Sequence, residues 1–210
     1  DEKKLINYSY RYLIVGKTEN FLSLKNSLIL KGYSISTIYD KILLPVLIKI
    51  GNRWSKGKLS ISEEHLASQI IKKFLTNLSF GLMPKKTKYN AFCFTLINDK
   101  HDIPLLMGES LLNQNEKIKT FNLGPNLPVE DFITLAHKTY PDIIYISVVY
   151  IDNINVLNQQ INLLCKHFSK LDTKIFLSGS GFKQLRINYT NFTEIQSFEY
   201  FENKINSVFT

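Results

Sequence analysis

Asp99 and His101 have the residue types and spacing for metal chemistry, because an acid stands two positions before a histidine in a polar loop. The apolar residues 91–97 before the loop predict a buried strand, and residues 105–112 after it predict a helix. Open α/β sheets bind their ligands in loops of this kind, at the carboxyl ends of parallel strands. A carboxylate on one ring nitrogen fixes the histidine tautomer and raises the basicity of a metal-bound imidazole. The loop therefore predicts a metal-ligating histidine, and an ordinary surface loop is the alternative.

A second group of candidate residues consists of Trp54, the only tryptophan, and the pair Glu64-His65. Trp54 lies at the end of one predicted helix, and the pair lies in the first turn of the next. A tight corner between the two helices would bring all three to one end of a helical bundle. Each alone has a structural explanation, because a tryptophan is usually core and a first-turn glutamate answers the helix dipole. Together with the His101 loop, the group is less readily explained as accidental.

The elements before residue 86 are helical. Thr18 is a candidate helix cap, Ser60 to Glu63 form a capping box, and Pro45 should kink the helix that contains it. Short connections favour an antiparallel four-helix bundle. The polar linker 84–88 predicts a boundary between a bundle at 1–86 and a second domain at 87–210. The expected helical segments are 6–15, 19–31, 38–54 and 61–78.

The second domain alternates strands and helices, which predicts an α/β fold with a doubly wound parallel sheet. Gly124-Pro125 predicts a turn, and Pro128 suits the first position of a helix. The expected strands are 90–97, 117–123, 142–149 and 173–177, with weak edge elements at 187–191 and 194–196. The expected helices are 103–113, 128–139, 154–168 and 199–208.

Composition narrows the function classes. The net charge of +8 is uneven, with +9 in residues 1–86 and −1 in residues 87–210. The basic first part indicates either an anionic partner such as DNA or a lysine-rich surface that binds nothing. The sequence shows no helix-turn-helix, zinc-finger or RNA-binding signature, no catalytic triad and no phosphate loop. Cys93 and Cys165 lie in apolar runs, as expected for core thiols in the cytoplasm. We find no membrane-spanning run and no secretory signal, and the missing initiator methionine is expected of a piece of a longer protein.

The two candidate groups resemble the light-sensing, cobalamin-dependent regulators of the MerR superfamily. That family has Trp, nine residues and Glu-His in a helical bundle, followed by Asp-x-His-x-x-Gly in a Rossmann-like, flavodoxin-like domain. The resemblance extends over nearly all of residues 18–185. The matching residues are Trp54, Glu64, His65, Asp99 and His101, with Ser147 and the Ser178-Gly179 turn as lesser matches.

The resemblance implies that cobalamin, most simply adenosylcobalamin, binds base-off with its tail buried beside Ser147 and Gly179, and that Ser178 of the same turn also binds the cofactor. It implies that His101 coordinates cobalt and that Asp99 forms a hydrogen bond with the other ring nitrogen of His101. The bundle would surround the 5′-deoxyadenosyl group, and light would release that group and change oligomeric state and DNA affinity. The expected protein is a cytoplasmic homo-oligomer without catalytic activity, and DNA contact needs a helix-turn-helix domain outside this chain. The residues implied at the upper face are Trp54, Glu64 and His65.

The sequence departs from the family pattern at three positions. Pro104 replaces the last glycine of the histidine motif, Ser178 replaces the first glycine of a Gly-Gly turn, and Ser55 follows Trp54 where one branch has a histidine. Two alternatives therefore stay open. One is a corrinoid methyl carrier of a methyltransferase, which shares the bundle and the histidine loop but has no need of the tryptophan group. The other is a degenerate, cobalamin-free oligomerisation module, which Pro104 and Ser178 favour.

Overall fold

The computed structural model describes residues 1–80 and 87–209, and it describes no side chains at 79 and 80. Two units make up the chain: Asp1–Leu78 with Ser197–Glu199, and Ser79–Gln196 with Tyr200–Thr210. We call them the helical unit and the α/β unit. The predicted linker and the boundary at residue 86 fall mainly outside the described residues.

The helical unit contains helical segments that follow one another almost without a break, where the sequence predicts a single kinked helix. A π-helical turn, Tyr39–Leu43, interrupts the α-helical structure, and Pro45 lies at the start of the α-helix that follows. Proline lacks an N–H and fits the first turn of a helix. The irregularity expected at Pro45 therefore lies just before it, in the π-helical turn. The helices are α1 Glu2–Ile14, α2 Thr18–Leu30, α3 Ile35–Ile38, α4 Leu44–Ser55 and α5 Ile61–Phe80.

Two predicted caps have different outcomes. The capping box at α5 is confirmed: the Ser60 N–H donates to Glu63 Oε2 at 2.8 Å, and the Glu63 N–H donates to Ser60 Oγ at 3.2 Å. The predicted cap at Thr18 is wrong, because Thr18 is already helical and Lys17 holds the cap position without a side-chain bond. Gly16, with φ of +74°, lies between α1 and α2, and α2 begins at Thr18, one residue earlier than expected.

The α/β unit contains a sheet with the order β2-β1-β3-β4-β5, and every described strand pair is parallel. This is the flavodoxin-like arrangement, which confirms the predicted doubly wound sheet, and its chain reversal falls between β1 and β3. The strands are β1 Tyr89–Leu96, β2 Ile118–Leu127, β3 Ile143–Ser147, β4 Lys174–Ser178 and β5 Phe192–Glu194. The helices are α6 Ile103–Leu112, α7 Val129–Thr139, α8 Ile154–Phe168 and α9 Phe198–Val208.

Alternation along the strands gives the sheet two buried faces. One face buries Phe94 and Ile146 against Phe132 of α7 and Leu164 of α8. The intervening residues point to the opposite face, where Tyr145 of β3 stacks on Phe201 of α9 with ring centroids 5.0 Å apart. Cys93 and Cys165 are both buried and free, as the sequence predicts.

Three sequence expectations in this unit need correction. Strand β2 does not end at Gly124-Pro125 but runs through it, with irregular register against β1 and a Gly124 φ of +81°. Pro128 is the cap before α7 rather than its first residue. Residues 187–191 form no strand, because side chains of α8 bind backbone groups there. The Asn188 N–H, for example, donates to Asn162 Oδ1.

Among the described residues, no helix has the length and hydropathy of a membrane span.

Candidate functional site

The loop after β1 holds Asp99 and His101 in one hydrogen-bonded unit. Asp99 is completely buried, and its Oδ1 accepts from the His101 backbone N–H at 3.0 Å and from the His101 ring Nδ1 at 2.9 Å. Its Oδ2 accepts from the backbone N–H groups of Val149 at 2.7 Å and Tyr150 at 3.2 Å. A carboxylate only accepts, so Nδ1 carries a proton, and in the neutral ring Nε2 then carries the lone pair that a metal requires.

The surroundings of Asp99 keep it ionised. Burial raises the pKa of this carboxyl, but the hydrogen bonds from the His101 ring and from three backbone N–H groups outweigh burial and leave the pKa lowered. The His101 side chain, by contrast, is 56% exposed. A buried, charged acceptor thus orients an accessible imidazole, which is the arrangement of a ligating histidine with a carboxylate behind it.

Polar side chains at the ends of β1 and β2 hold the loop in place. Thr95 Oγ1 donates to the Asp99 carbonyl at 2.5 Å and accepts from the Asn126 N–H at 2.9 Å. The Asn98 N–H donates to Asn126 Oδ1 at 2.7 Å, and both asparagines adopt positive φ, near +65°. Asparagine tolerates that conformation better than most residues, which explains this local sequence.

Hydroxyl side chains share one register across three neighbouring strands. Thr95 of β1 pairs with Ser147 of β3, and Ser147 pairs with Ser178 of β4. Ser147 Oγ is fully buried and has no hydrogen-bond partner among the described residues. Such a group costs about 1–3 kcal/mol, so it favours a conformation or ligand that supplies a partner.

Gly179 brings the end of β4 against the backbone that follows β3. Its φ is +96°, and a Cβ there would lie 2.2 Å from the Val148 carbonyl oxygen. The two backbones therefore approach as closely as glycine permits. Through Val148 and Val149, the segment after Ser147 contacts both Gly179 and Asp99, so the structure brings the predicted residues of this unit together.

Tyr145 is a residue that the sequence analysis missed. Its ring is fully buried, and its hydroxyl lies 2.8 Å from Ser178 Oγ and donates to the Pro104 carbonyl at 3.1 Å. Burial raises the pKa of this phenol, although the Ser178 hydrogen bond opposes the rise. The sequence contains one signal for this residue, a tyrosine in a strand of isoleucines. A buried tyrosine hydroxyl needs a hydrogen-bond partner.

The helical unit brings Glu64 and His65 together. Glu64 Oε2 lies 2.7 Å from His65 Nδ1, and Ser68 Oγ donates to Glu64 Oε1 at 2.6 Å. Trp54 is placed near the end of the preceding helix, α4, with 51% of its surface exposed. An exposed indole is unusual for a lone tryptophan, and it is available to cover a ligand.

The residues of the α/β unit fit cobalamin in part. The Asp99–His101 pair has the donor chemistry for cobalt, and Ser147 offers an unsatisfied hydroxyl. The interior beside Ser178 does not fit a buried nucleotide tail in this conformation, because the Tyr145 ring and hydroxyl fill it. The fit is therefore good at the imidazole and poor at the place implied for the tail.

Comparison with known proteins places these features in context. The B12 binding domain family matches residues 9–79, which is most of the helical unit. The HTH-type transcriptional repressor CarH of Myxococcus xanthus is 29% identical over 112 residues, which are 53% of this chain and 36% of CarH. The chain thus spans about a third of the length of that relative.

One solved structure shares the fold. The monomethylamine corrinoid protein of Methanosarcina barkeri superposes with a TM-score of 0.71 at 13% identity, covering 99% of this chain and 100% of that one. The methanol:cobalamin methyltransferase complex MtaBC of the same organism gives a TM-score of only 0.48 at 14% identity, covering 98% and 79% of the two chains. These matches support a cobalamin-binding region in this chain: residues 9–79 are similar to the B12 binding domain family, and the chain shares the fold of a corrinoid protein.

Proposed function

We propose that this chain is the cobalamin-binding sensory region of a transcriptional regulator and acts without catalysis of its own. The observation that carries the proposal is the Asp99–His101 pair at the switch point of the sheet, where a buried carboxylate orients an accessible imidazole. The similarity to the repressor CarH supports regulation. The proposed setting is the cytoplasm, with a homo-oligomer that contacts DNA through a domain outside this chain.

His101 is the proposed cobalt ligand, and Asp99 is its positioning residue. Asp99 holds the proton on Nδ1 and so presents the lone pair of Nε2. The bound corrinoid, proposed to be adenosylcobalamin, would supply a light-sensitive cobalt–carbon bond. Ser147 and Gly179 are the proposed polar and close-approach contacts of the same unit.

Trp54, Glu64 and His65 are the proposed contacts to the upper ligand. The exposed indole of Trp54 offers an apolar surface, and the Glu64–His65 pair offers hydrogen-bonding groups. A ligand that binds one arrangement of the protein better than another shifts the population toward it. Loss of the upper ligand in light would remove these contacts and thereby change assembly.

A dark titration with adenosylcobalamin tests the proposal. The chain should produce the base-off, histidine-ligated absorption spectrum. The variant His101→Ala should lose it, while His137→Ala, which changes an exposed histidine on α7 of the same unit, should retain it. A spectrum identical to that of free cofactor in every variant would contradict the proposal.

Illumination of the same complex separates a sensor from a methyl carrier. A sensor should change its elution volume on a sizing column after light, and Trp54→Ala should weaken that change. A carrier should keep its elution volume while still ligating the corrinoid through His101. An unchanged elution profile with normal ligation would therefore support the methyl-carrier alternative.

A further inference from the structure

We propose that Tyr145 is a built-in plug for the place implied for the nucleotide tail, so that this chain favours a corrinoid whose tail stays outside the α/β unit. The inference rests on the proposed function, because it concerns the same site. It adds the ligand class: tail-free corrinoids are preferred over intact cobalamin. The carrying observation is the position of one fully buried phenol.

The phenol ring occupies the space between the sheet and α6. It lies so close to Gly108 that a Cβ at that position would be 2.2 Å from Tyr145 Cζ and 2.6 Å from the hydroxyl oxygen. On its other side the ring stacks on Phe201 of α9, with centroids 5.0 Å apart. With contacts on both sides and no exposed surface, the ring leaves no room for a second aromatic group.

The hydroxyl of Tyr145 bonds to two positions where the sequence departs from the family pattern. It lies 2.8 Å from Ser178 Oγ, and it donates to the carbonyl of Pro104 at 3.1 Å. A glycine at 178 would have no side chain to offer this phenol. Ser178 and Tyr145 therefore belong together. The Tyr145 ring fills the interior with an aromatic group of the protein itself, and Ser178 provides a hydrogen-bond partner for its hydroxyl.

The closed arrangement has a direct consequence for ligand choice. Intact cobalamin must release its own benzimidazole from cobalt before His101 can coordinate from that side. A protein with an open slot repays this cost by burying the released tail, whereas Tyr145 prevents that burial. Cobinamide, the corrinoid without a tail, has no such cost and should bind this chain more tightly.

Parallel titrations of the full chain with adenosylcobalamin and adenosylcobinamide test the plug. For the unmodified chain, the dissociation constant for the cobinamide should be at least about tenfold lower. The variant Tyr145→Gly should gain at least about tenfold in affinity for cobalamin with little change for cobinamide. Tyr145→Phe is the matched control: it keeps the ring and removes the hydroxyl, so the preference for cobinamide should persist. Far-UV circular dichroism checks that each variant is folded.

The outcomes separate this inference from the proposed function. If the unmodified chain binds cobalamin more tightly than cobinamide and ligates it through His101, the plug is wrong and the proposed function stands. If the unmodified chain ligates both corrinoids but binds cobinamide at least about tenfold more tightly, and Tyr145→Gly removes that preference, the plug is supported and the proposed function stands. If no variant binds either corrinoid, the proposed function fails and this inference fails with it. Should Tyr145→Gly not fold, a stronger affinity of the unmodified chain for cobalamin than for cobinamide still overturns the inference.

Discussion

Gly108 and Tyr145 are in direct contact: a side chain at 108 would overlap the phenol ring, with an ideal Cβ only 2.2 Å from Tyr145 Cζ. Gly108 lies inside α6, where glycine is about 1 kcal/mol less favourable than alanine. The glycine therefore lowers the stability of α6. The adjacent Tyr145 ring explains the glycine, because it leaves no space for a side chain at position 108. The contact therefore links the sequence of α6 to the closed interior of the α/β unit.

A double-mutant cycle tests this contact. Gly108→Ala should destabilise the unmodified chain by about 1–3 kcal/mol, because overpacking outweighs the gain in helix propensity. In the Tyr145→Ala background the same change should be neutral or stabilising by up to about 1 kcal/mol, since the overlap is gone. Urea unfolding of the four proteins measures the coupling. Equal effects of Gly108→Ala in both backgrounds would contradict the contact.

Removal of the Asp99 carboxylate should destabilise the α/β unit. Asp99→Ala leaves the N–H groups of Val149 and Tyr150 and the His101 ring without their acceptor, and we expect a loss of about 2 kcal/mol or more. Asp152→Ala is the matched control, because it removes an exposed carboxylate from a neighbouring loop and should change stability by less than about 0.5 kcal/mol. Chemical unfolding monitors both, and similar losses would show that Asp99 has no special structural role.

Gly179 should tolerate no side chain. Gly179→Ala combines a left-handed φ of +96° with a Cβ 2.2 Å from the Val148 carbonyl oxygen, so the unit should lose more than about 2 kcal/mol. Gly124→Ala separates the two effects: its φ is +81°, but nothing lies within 4 Å of the added Cβ. That variant should lose only about 1–2 kcal/mol. The thermal midpoints rank the two variants, and the opposite order would refute the close approach.

The capping box should make the start of α5 sensitive to acid. Hydrogen bonds from the Ser60 backbone and side chain lower the pKa of Glu63, so this carboxylate stabilises the fold above its unfolded pKa. That stability disappears as the pH falls from about 4 through the lowered folded pKa. Glu63→Gln should flatten this acid limb in unfolding measured from pH 6 to pH 2. Ser60→Ala should cost about 1 kcal/mol at neutral pH, whereas Ser62→Ala, an exposed serine in the same turn, should be neutral. An acid limb that Glu63→Gln leaves unchanged would contradict the assignment.

Both cysteines should resist modification in the folded chain. Burial raises the pKa of Cys165 to about 11, and burial together with Glu109 raises the pKa of Cys93 well above its usual range. Thiolates are the reactive species, so a disulfide reagent at pH 8 should react slowly with native protein and rapidly with both thiols in guanidinium. Fast reaction of either thiol in the native chain would place it outside the core.

The sequence by itself determined the order of the elements and the chemistry of the His101 loop. The change from helical to alternating periodicity predicted the two parts of the fold, and an acid two residues before a histidine predicted their pairing, because both signals depend on near neighbours in the chain. The sequence also singled out Pro104 and Ser178 as departures, without explaining them.

Only the tertiary structure decided what lies between those two residues. Tyr145 is 41 residues from Pro104 and 33 residues from Ser178 along the chain, yet its hydroxyl joins them. Sequence periodicity reports which face a residue points to, but not which distant helix covers that face or how much space remains there. The tight packing of the phenol against Gly108 decides that space, and it depends on long-range contacts that no local pattern encodes.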